Sequence, residues 1–149
     1  MTPTPADYFG KADRALASSR LLLEIGDAEG ACNRAYYAMF DAAKAALIAA
    51  SAAPIASTYK SHSGLIGAFG LHLVKTGRIS SEFGISLNEA ERLRRLAYYT
   101  GEPIPINEAT LVMEKASLFV FAVRQEFMPE NTNDNRDDAD HNRDSDTMA

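Results

Sequence analysis

The sequence has few of the features that would place a protein outside a reducing, aqueous compartment. Among its 149 residues Cys32 is the only cysteine, so no internal disulfide can form, which fits a reducing cytoplasm. No apolar run is long enough to cross a bilayer, and residues 1–5 lack the basic and apolar regions of a secretory signal. We therefore expect a cytoplasmic protein without membrane association, in which Cys32 is a small residue in a helix interface.

Histidines and recognisable catalytic motifs are also scarce. The histidines are His62, His72 and His141, and no two of them have metal-ligand spacing. No phosphate-binding loop, dinucleotide-binding turn or nucleophile elbow is present, so we expect no metal and no cofactor. His62 stands at a predicted helix start, where the positive helix end disfavours protonation, and it could be either a neutral base or a capping residue.

A charge excess is missing from most of the chain. The net charge of −5 arises in residues 129–149, which hold seven acidic and two basic side chains, whereas residues 1–128 hold 13 of each sign. A neutral body has no overall field to attract nucleic acid, so any RNA contact must be local. The sequence thus predicts a folded domain over 1–128 and, because 129–149 has almost no large apolar residues, a disordered acidic tail.

Strand patterns are absent, and helical periodicity runs through the predicted domain. Thr4 is expected to cap the first helix, and Gly26 to end it. Ser86 opens a capping-box pattern for the fourth helix, and Asn107 is expected to cap the fifth. The expected helices cover about 5–25, 27–50, 61–76, 86–99 and 107–128, with a loop at 51–60. Short connections predict an all-α, five-helix antiparallel bundle.

The densest aromatic stretch lies on the second predicted helix. Tyr36, Tyr37 and Phe40 are typical of a helix face in a core, but a buried tyrosine hydroxyl needs a hydrogen-bonding partner. Asn33 lies one turn before Tyr37. An amide and a phenol therefore share a face and could line a polar cleft.

Two adjacent arginines on the fourth predicted helix are expected to have different surroundings. Glu91 precedes Arg95 by four residues, which predicts a surface ion pair between them. Arg94 lies at the margin of the inward stripe, where it could bind a phosphate through two N–H groups or form a structural ion pair. The predicted inward stripe contains Ala90, Leu93, Leu96 and Ala97. On the fifth helix, the predicted apolar side contains Leu111, Val112, Leu118, Phe119, Ala122 and Val123.

Four segments occur together in a specific order along nearly all of the predicted domain. They are residues 33–40 (NRAYYAMF), 60–66 (KSHSGLI), 69–77 (FGLHLVKTG) and 94–99 (RRLAYY). Together they resemble a HEPN domain over roughly residues 6–127, and more closely its small prokaryotic branch UPF0332. The resemblance implies a five-helix bundle that forms a two-fold homodimer. It also implies a toxin-like protein encoded beside a small nucleotidyltransferase antitoxin.

The resemblance implies a metal-independent endoribonuclease site in active family members, formed by an arginine and a following histidine in both subunits. There, histidine moves the proton of a ribose 2′-hydroxyl and arginine stabilises charge on the phosphate. The arginine position falls on Arg94 and the branch's alanine on Ala97. Tyr98 occupies the branch's aspartate position, and the histidine of active toxins would fall near Tyr99. A phenol is a poor base at neutral pH.

Three functions are consistent with these residues. The first is a toxin-like ribonuclease; the second is a non-catalytic HEPN module that binds nucleotide, RNA or a protein partner; the third is a helical dimerisation scaffold. For the first, the expected catalytic residues are Arg94 and Tyr99, and the expected substrate-binding residues are Asn33, Tyr37, Tyr98 and His62. His62 can substitute for the missing histidine only if it lies beside Arg94. In many such modules the partner modifies a tyrosine, for which Tyr98 or Tyr99 is the candidate here.

Overall fold

The computed structural model describes residues 3–50 and 61–128, and all regular structure within these ranges is helical. The helices are α1 (Pro5–Glu24), α2 (Ala28–Ala49), α3 (His62–Phe69), α4 (Ser81–Thr100) and α5 (Ile106–Phe127). A π-helical turn, Gly70–Val74, continues α3. The predicted all-α, five-helix fold is confirmed. The predicted loop at 51–60 and the predicted tail at 129–149 lie outside the described residues.

Several helix ends follow from the side chains that the sequence provides. Thr4 and Asp7 form a reciprocal capping box at the start of α1. Asp27 and Ser61 are the N-caps of α2 and α3. The side chain of each accepts a hydrogen bond from the backbone N–H three residues further on. Gly101 ends α4 with a φ of 67°, a left-handed conformation that glycine adopts without steric cost. Within the described ranges, no helix is long and apolar enough to cross a bilayer.

The last two helices begin earlier than predicted. α4 begins at Ser81 rather than Ser86, because its apolar side already includes Phe83, which packs against the core. α5 begins at Ile106 rather than after Asn107. The residue before Ile106 is a proline in an extended conformation, and its fixed φ leads directly into the helix.

The central helix of the bundle is α2, which packs against α1, α3, α4 and α5. Alanine is the strongest helix former, and its single methyl group lets neighbouring helices approach closely. Cys32 is buried beside this alanine face, as predicted. The buried alanines of α2 are Ala31, Ala35, Ala38, Ala42, Ala43, Ala45 and Ala46.

The predicted apolar stripes of α4 and α5 are wider than the faces that reach the core. Leu96, Leu111 and Leu118 are exposed, although the periodicity assigned them to the interior. Phe119 and Val123 are buried as predicted. A helix in a small bundle contacts its neighbours over only part of its circumference, so residues at the margins of an apolar stripe stay in water.

Candidate functional site

Three aromatic side chains of α2 define the junction of α2, α3 and α4. Tyr36 is fully buried, whereas Tyr37 and Phe40 are partly buried. The ring centroid of Tyr36 lies 5.3 Å from that of Tyr37 and 6.0 Å from that of Phe40. These separations are typical of favourable edge-on aromatic packing. The predicted core position is therefore confirmed for Tyr36, and the other two rings line an edge of the core.

His62, the first residue of α3, packs against these three rings. Its ring centroid lies 5.4 Å from Tyr36, 5.8 Å from Tyr37 and 5.1 Å from Phe40. Its Nδ1 atom is hydrogen-bonded to the Tyr36 hydroxyl oxygen at 2.6 Å. The Ser61 cap fixes the start of α3 and therefore the position from which this imidazole projects.

The surroundings of His62 favour a neutral imidazole. Burial lowers the pKa of His62, and the positive charge of Arg94 lowers it further, whereas the carboxylate of Glu91 acts in the opposite direction. The direction agrees with the sequence prediction, and the largest cause is burial among aromatic rings. A neutral histidine can accept a proton at neutral pH.

Arg94 reaches the same cluster from α4. Its Nε and Nη2 atoms donate hydrogen bonds to Glu91 Oε2 at 3.1 and 3.0 Å. The guanidinium carbon lies 5.0 Å from the Tyr36 ring centroid and 5.8 Å from that of Tyr37. Both partners of the ion pair are largely buried, with side-chain exposures of 19% for Arg94 and 13% for Glu91.

The predicted ion pair between Glu91 and Arg95 is wrong. Spacings of three and four residues both bring side chains together on a helix. Here the tyrosine rings of α2 offer Arg94 cation–π contacts, whereas Arg95 is exposed. Glu91 therefore pairs with Arg94.

The guanidinium of Arg94 still has donors to offer. It carries five N–H groups, of which the contacts with Glu91 use two. Within the described ranges the guanidinium makes no other hydrogen bond, so three N–H groups remain for a ligand such as a phosphate. The predicted alternatives, a structural ion pair and a phosphate contact, are thus compatible in one side chain.

Tyr36 links the two halves of the cluster. Burial raises the pKa of the Tyr36 phenol far above its ordinary value, and the charge of Glu91 and hydrogen bonding with that side chain add to the rise. The hydroxyl therefore stays protonated. The Tyr36 hydroxyl and His62 Nδ1 share one hydrogen bond, whose direction depends on the histidine tautomer. In the tautomer with the proton on Nδ1, the His62 Nε2 atom carries the free lone pair.

The remaining predicted site residues differ in their distance from this cluster. Asn33 and Tyr98 line a small depression beside Arg94. Tyr98 and Tyr99 are both 76% exposed, and their rings meet edge-on at 5.3 Å. A helix turns by about 100° per residue, so Tyr99 lies about 140° around α4 from Arg94. The structure thus brings Arg94, His62 and Tyr37 together and leaves Tyr99 apart.

Sequence reasoning missed the connecting roles of Tyr36 and Glu91. The need of a buried tyrosine hydroxyl for a partner was a usable signal for Tyr36. The three-residue spacing from Glu91 to Arg94 was a usable signal for the ion pair. Within residues 3–50 and 61–128, no group of three or more potential ligand side chains could hold a metal ion.

A comparison with protein families identifies the family to which the fold belongs. The HEPN domain model matches residues 6–125. This chain belongs to the HEPN domain family. A UPF0332 protein from Gloeobacter violaceus is 40% identical over 101 residues, which cover 68% of this chain and 76% of that protein. The predicted family and the UPF0332-like branch are confirmed.

Two relatives in Methanocaldococcus jannaschii bear the name "Putative toxin". One is 32% identical over 114 residues, covering 76% of this chain and 81% of the relative. The other is 29% identical over 122 residues, covering 81% of this chain and 80% of the relative. The chain is therefore similar over most of its length to two proteins that bear this name.

Proposed function

We propose that this HEPN protein is the toxin-like component of a two-gene module and cleaves RNA, without a metal ion, at the junction of α2, α3 and α4. One observation carries the proposal: His62 and Arg94 both contact Tyr36, although they come from different helices. A neutral histidine and a partly free guanidinium are thus held in one cluster. The names of the two M. jannaschii relatives support the toxin-like role.

The proposed reaction uses the ribose 2′-hydroxyl of RNA as the nucleophile. His62 Nε2 takes the 2′-hydroxyl proton, the 2′-oxygen attacks phosphorus, and the bond from phosphorus to the 5′-oxygen breaks. The leaving 5′-oxygen takes a proton from water, and the resulting hydroxide takes the proton held by His62, which returns the imidazole to its neutral form. The unused N–H groups of Arg94 stabilise the charge on the phosphate oxygens. The products are a 2′,3′-cyclic phosphate and a 5′-hydroxyl.

In this proposal the tyrosines bind rather than transfer protons. Tyr37 borders both His62 and Arg94, and Asn33 and Tyr98 border Arg94, so these side chains are suited to position the substrate. Tyr99 is exposed and turned away from Arg94. We assign Tyr99 to stacking on a flanking base instead of the catalytic role that the sequence motif predicts.

The direct test is incubation of the purified chain with single-stranded RNA in the presence of EDTA. We expect cleavage that leaves 2′,3′-cyclic phosphate ends, and a fall of at least about 100-fold for His62→Ala or Arg94→Ala. Arg95→Ala is the matched control, because it removes the same charge from the neighbouring, exposed position. Cleavage unchanged by Arg94→Ala, or no cleavage by the wild-type chain, would reject the ribonuclease proposal.

A second candidate is a non-catalytic HEPN module that binds RNA or a nucleotide. It is favoured by the Glu91 carboxylate, which already neutralises much of the Arg94 charge. On this alternative, the wild-type chain binds RNA and leaves it intact. Binding that requires Arg94 but is indifferent to His62→Ala would favour it over the enzyme.

The proposed module also includes a homodimer and a nucleotidyltransferase antitoxin. Among the tyrosines within residues 3–50 and 61–128, Tyr98 and Tyr99 are the most accessible to a modifying partner, because both are 76% exposed. Mass spectrometry after co-expression with a neighbouring nucleotidyltransferase would detect such a modification, and sedimentation would detect the dimer. An unmodified chain whose toxicity is unaffected by the partner would remove the antitoxin from the proposal.

A further inference from the structure

Four basic side chains of α1 and α2 surround the buried carboxylate of Asp41. They form what we call the α1–α2 basic face: Lys11, Arg14, Arg34 and Lys44. Each contributes a positive charge to the surroundings of Asp41. Within the described part of the chain, none of the four forms an ion pair. The basic face therefore has a local positive excess, although the body of the chain is neutral overall.

The one carboxylate at the centre of this face offsets little of that excess. Burial raises the pKa of Asp41, and the four surrounding cations act in the opposite direction. Asp7, the acidic residue at the start of α1, is held by hydrogen bonds with Thr4. Because four cations surround one carboxylate, the face keeps hydrogen-bond donors and a net positive charge that can bind a polyanion.

Aromatic rings lie between the cations of the basic face. The Lys11 and Lys44 ammonium groups lie 5.7 and 5.2 Å from the centroid of the Tyr8 ring. Lys44 also lies 5.8 Å from the centroid of Phe40. Alternating cations and aromatic rings are typical of surfaces that bind single-stranded nucleic acid, where the cations contact phosphates and the rings contact bases.

The basic face is continuous with the proposed cleavage site through shared rings. Arg34 lies 5.8 Å from the centroid of Tyr37, a ring that Arg94 also contacts. Lys44 and His62 both contact Phe40. On α2, positions 34 and 44 are ten residues apart, or about 15 Å along the helix axis. A strand held at the cleavage site can therefore extend along this face.

We propose that the α1–α2 basic face binds the sugar–phosphate backbone of single-stranded RNA next to the bond that is cut. This inference rests on the proposed RNA-directed function and assigns the surface that the substrate follows. The rings between the cations and the continuity with Arg94 and His62 favour RNA over an acidic protein as the ligand. The local positive face also explains how a chain with a neutral body can bind a polyanion.

The test measures binding without cleavage. Fluorescence anisotropy with a 2′-O-methyl oligonucleotide avoids turnover, because the nucleophilic hydroxyl is blocked. We expect the double variant Arg34→Gln/Lys44→Gln to bind at least about tenfold more weakly at low salt. The slope of log affinity against log salt should fall by about 1.4, or about 0.7 for each lost phosphate contact. Lys75→Gln/Arg92→Gln removes two exposed cations elsewhere and should stay within about twofold of wild type.

A second double variant guards against loss of folding. Lys11→Gln/Arg14→Gln changes two exposed positions on α1 and should weaken binding in the same direction. Loss of affinity in Arg94→Ala with both basic-face variants unchanged would overturn this inference while leaving the proposed function standing. A wild-type chain that binds no RNA would overturn both. Weakened binding in a chain that never cuts RNA would support the basic face and reject the ribonuclease proposal.

A competition experiment distinguishes RNA from an acidic protein as the ligand of the basic face. An Asp-rich peptide of the same charge as the oligonucleotide should compete weakly, because it cannot stack on Tyr8 or Phe40. Competition by the peptide as strong as competition by unlabelled RNA would overturn the assignment of this face to RNA.

Discussion

Two neighbouring turns of α4 carry the family motif and are held very differently. The turn with Glu91 and Arg94 is packed against the tyrosine rings of α2. The turn with Tyr98 and Tyr99 projects its rings into solvent. The motif is therefore not one unit: its first part is built into the bundle, and its last part is exposed on the surface. The inner turn and the outer turn should consequently respond differently to substitution.

The largest expected difference concerns the tyrosines that serve these two turns. Tyr36→Ala removes a fully buried ring and should lower the free energy of unfolding by about 3–5 kcal/mol. Tyr99→Ala removes an exposed ring and should change it by less than about 0.5 kcal/mol. Denaturant unfolding followed by circular dichroism measures both values.

A milder variant separates the ring of Tyr36 from its hydroxyl. Tyr36→Phe keeps the packing and removes the partner of His62 Nδ1, which should lower the free energy of unfolding by about 1–3 kcal/mol.

Similar losses of unfolding free energy for Tyr36→Ala and Tyr99→Ala would contradict the distinction between an inner and an outer turn.

The next largest effect is the coupling energy between Glu91 and Arg94. A double-mutant cycle of Glu91→Gln and Arg94→Gln should give a coupling energy of about 1 kcal/mol, because the pair is largely but not fully buried. The same cycle with Arg95→Gln should give a value near zero, since Arg95 is exposed. A larger coupling for Arg95 would restore the pairing that the four-residue spacing predicts.

The smallest effect is on the titration of His62, followed by NMR. Arg94→Gln should raise the pKa of His62, and Glu91→Gln should lower it further, because the two charges act on it in opposite directions. Arg95→Gln should have little effect. An NMR titration in which Glu91→Gln raises the pKa would contradict the assigned electrostatics.

The lowered pKa of His62 makes the stability of the fold depend on pH. The unfolded chain protonates this histidine near its ordinary pKa of 6.5, and the folded chain only at lower pH. The unfolded state then binds more protons, so the contribution of His62 to stability decreases as pH falls below that value. Replacing His62 with glutamine should remove this part of the acid sensitivity.

Local signals in the sequence predicted most of the fold, because caps and periodicity act over a few residues. Thr4 caps α1 and Gly26 follows its end, as the sequence predicts. The prediction that α4 starts at Ser86 was wrong. Ser86 has the form of a cap but lies within a longer apolar stripe. Exposure of Leu118 also depends on how much of α5 its neighbours cover, which no local pattern records.

The candidate site was only partly predictable for a different reason. The resemblance pointed to Arg94, and Asn33 and Tyr37 followed from a shared helix face. His62 lies far along the sequence from both α2 and α4 partners, so only tertiary packing could bring it to Tyr36. Glu91 pairs with Arg94 and not with Arg95 because the tyrosine rings of α2 contact Arg94, and these rings belong to another helix.

The alanine face of α2 has a consequence for how such a protein can diverge. Alanine has no side-chain rotamers, so this face of α2 is located by close backbone approach, whereas Tyr36, Met39 and Leu47 of the same helix interlock with the rest of the core. Asn33, Tyr37 and Lys44 are partly buried and project from the side of α2 that lies away from these alanines. Exchanges there can alter ligand preference without repacking the bundle. The fold is thus suited to evolve new recognition by single substitutions.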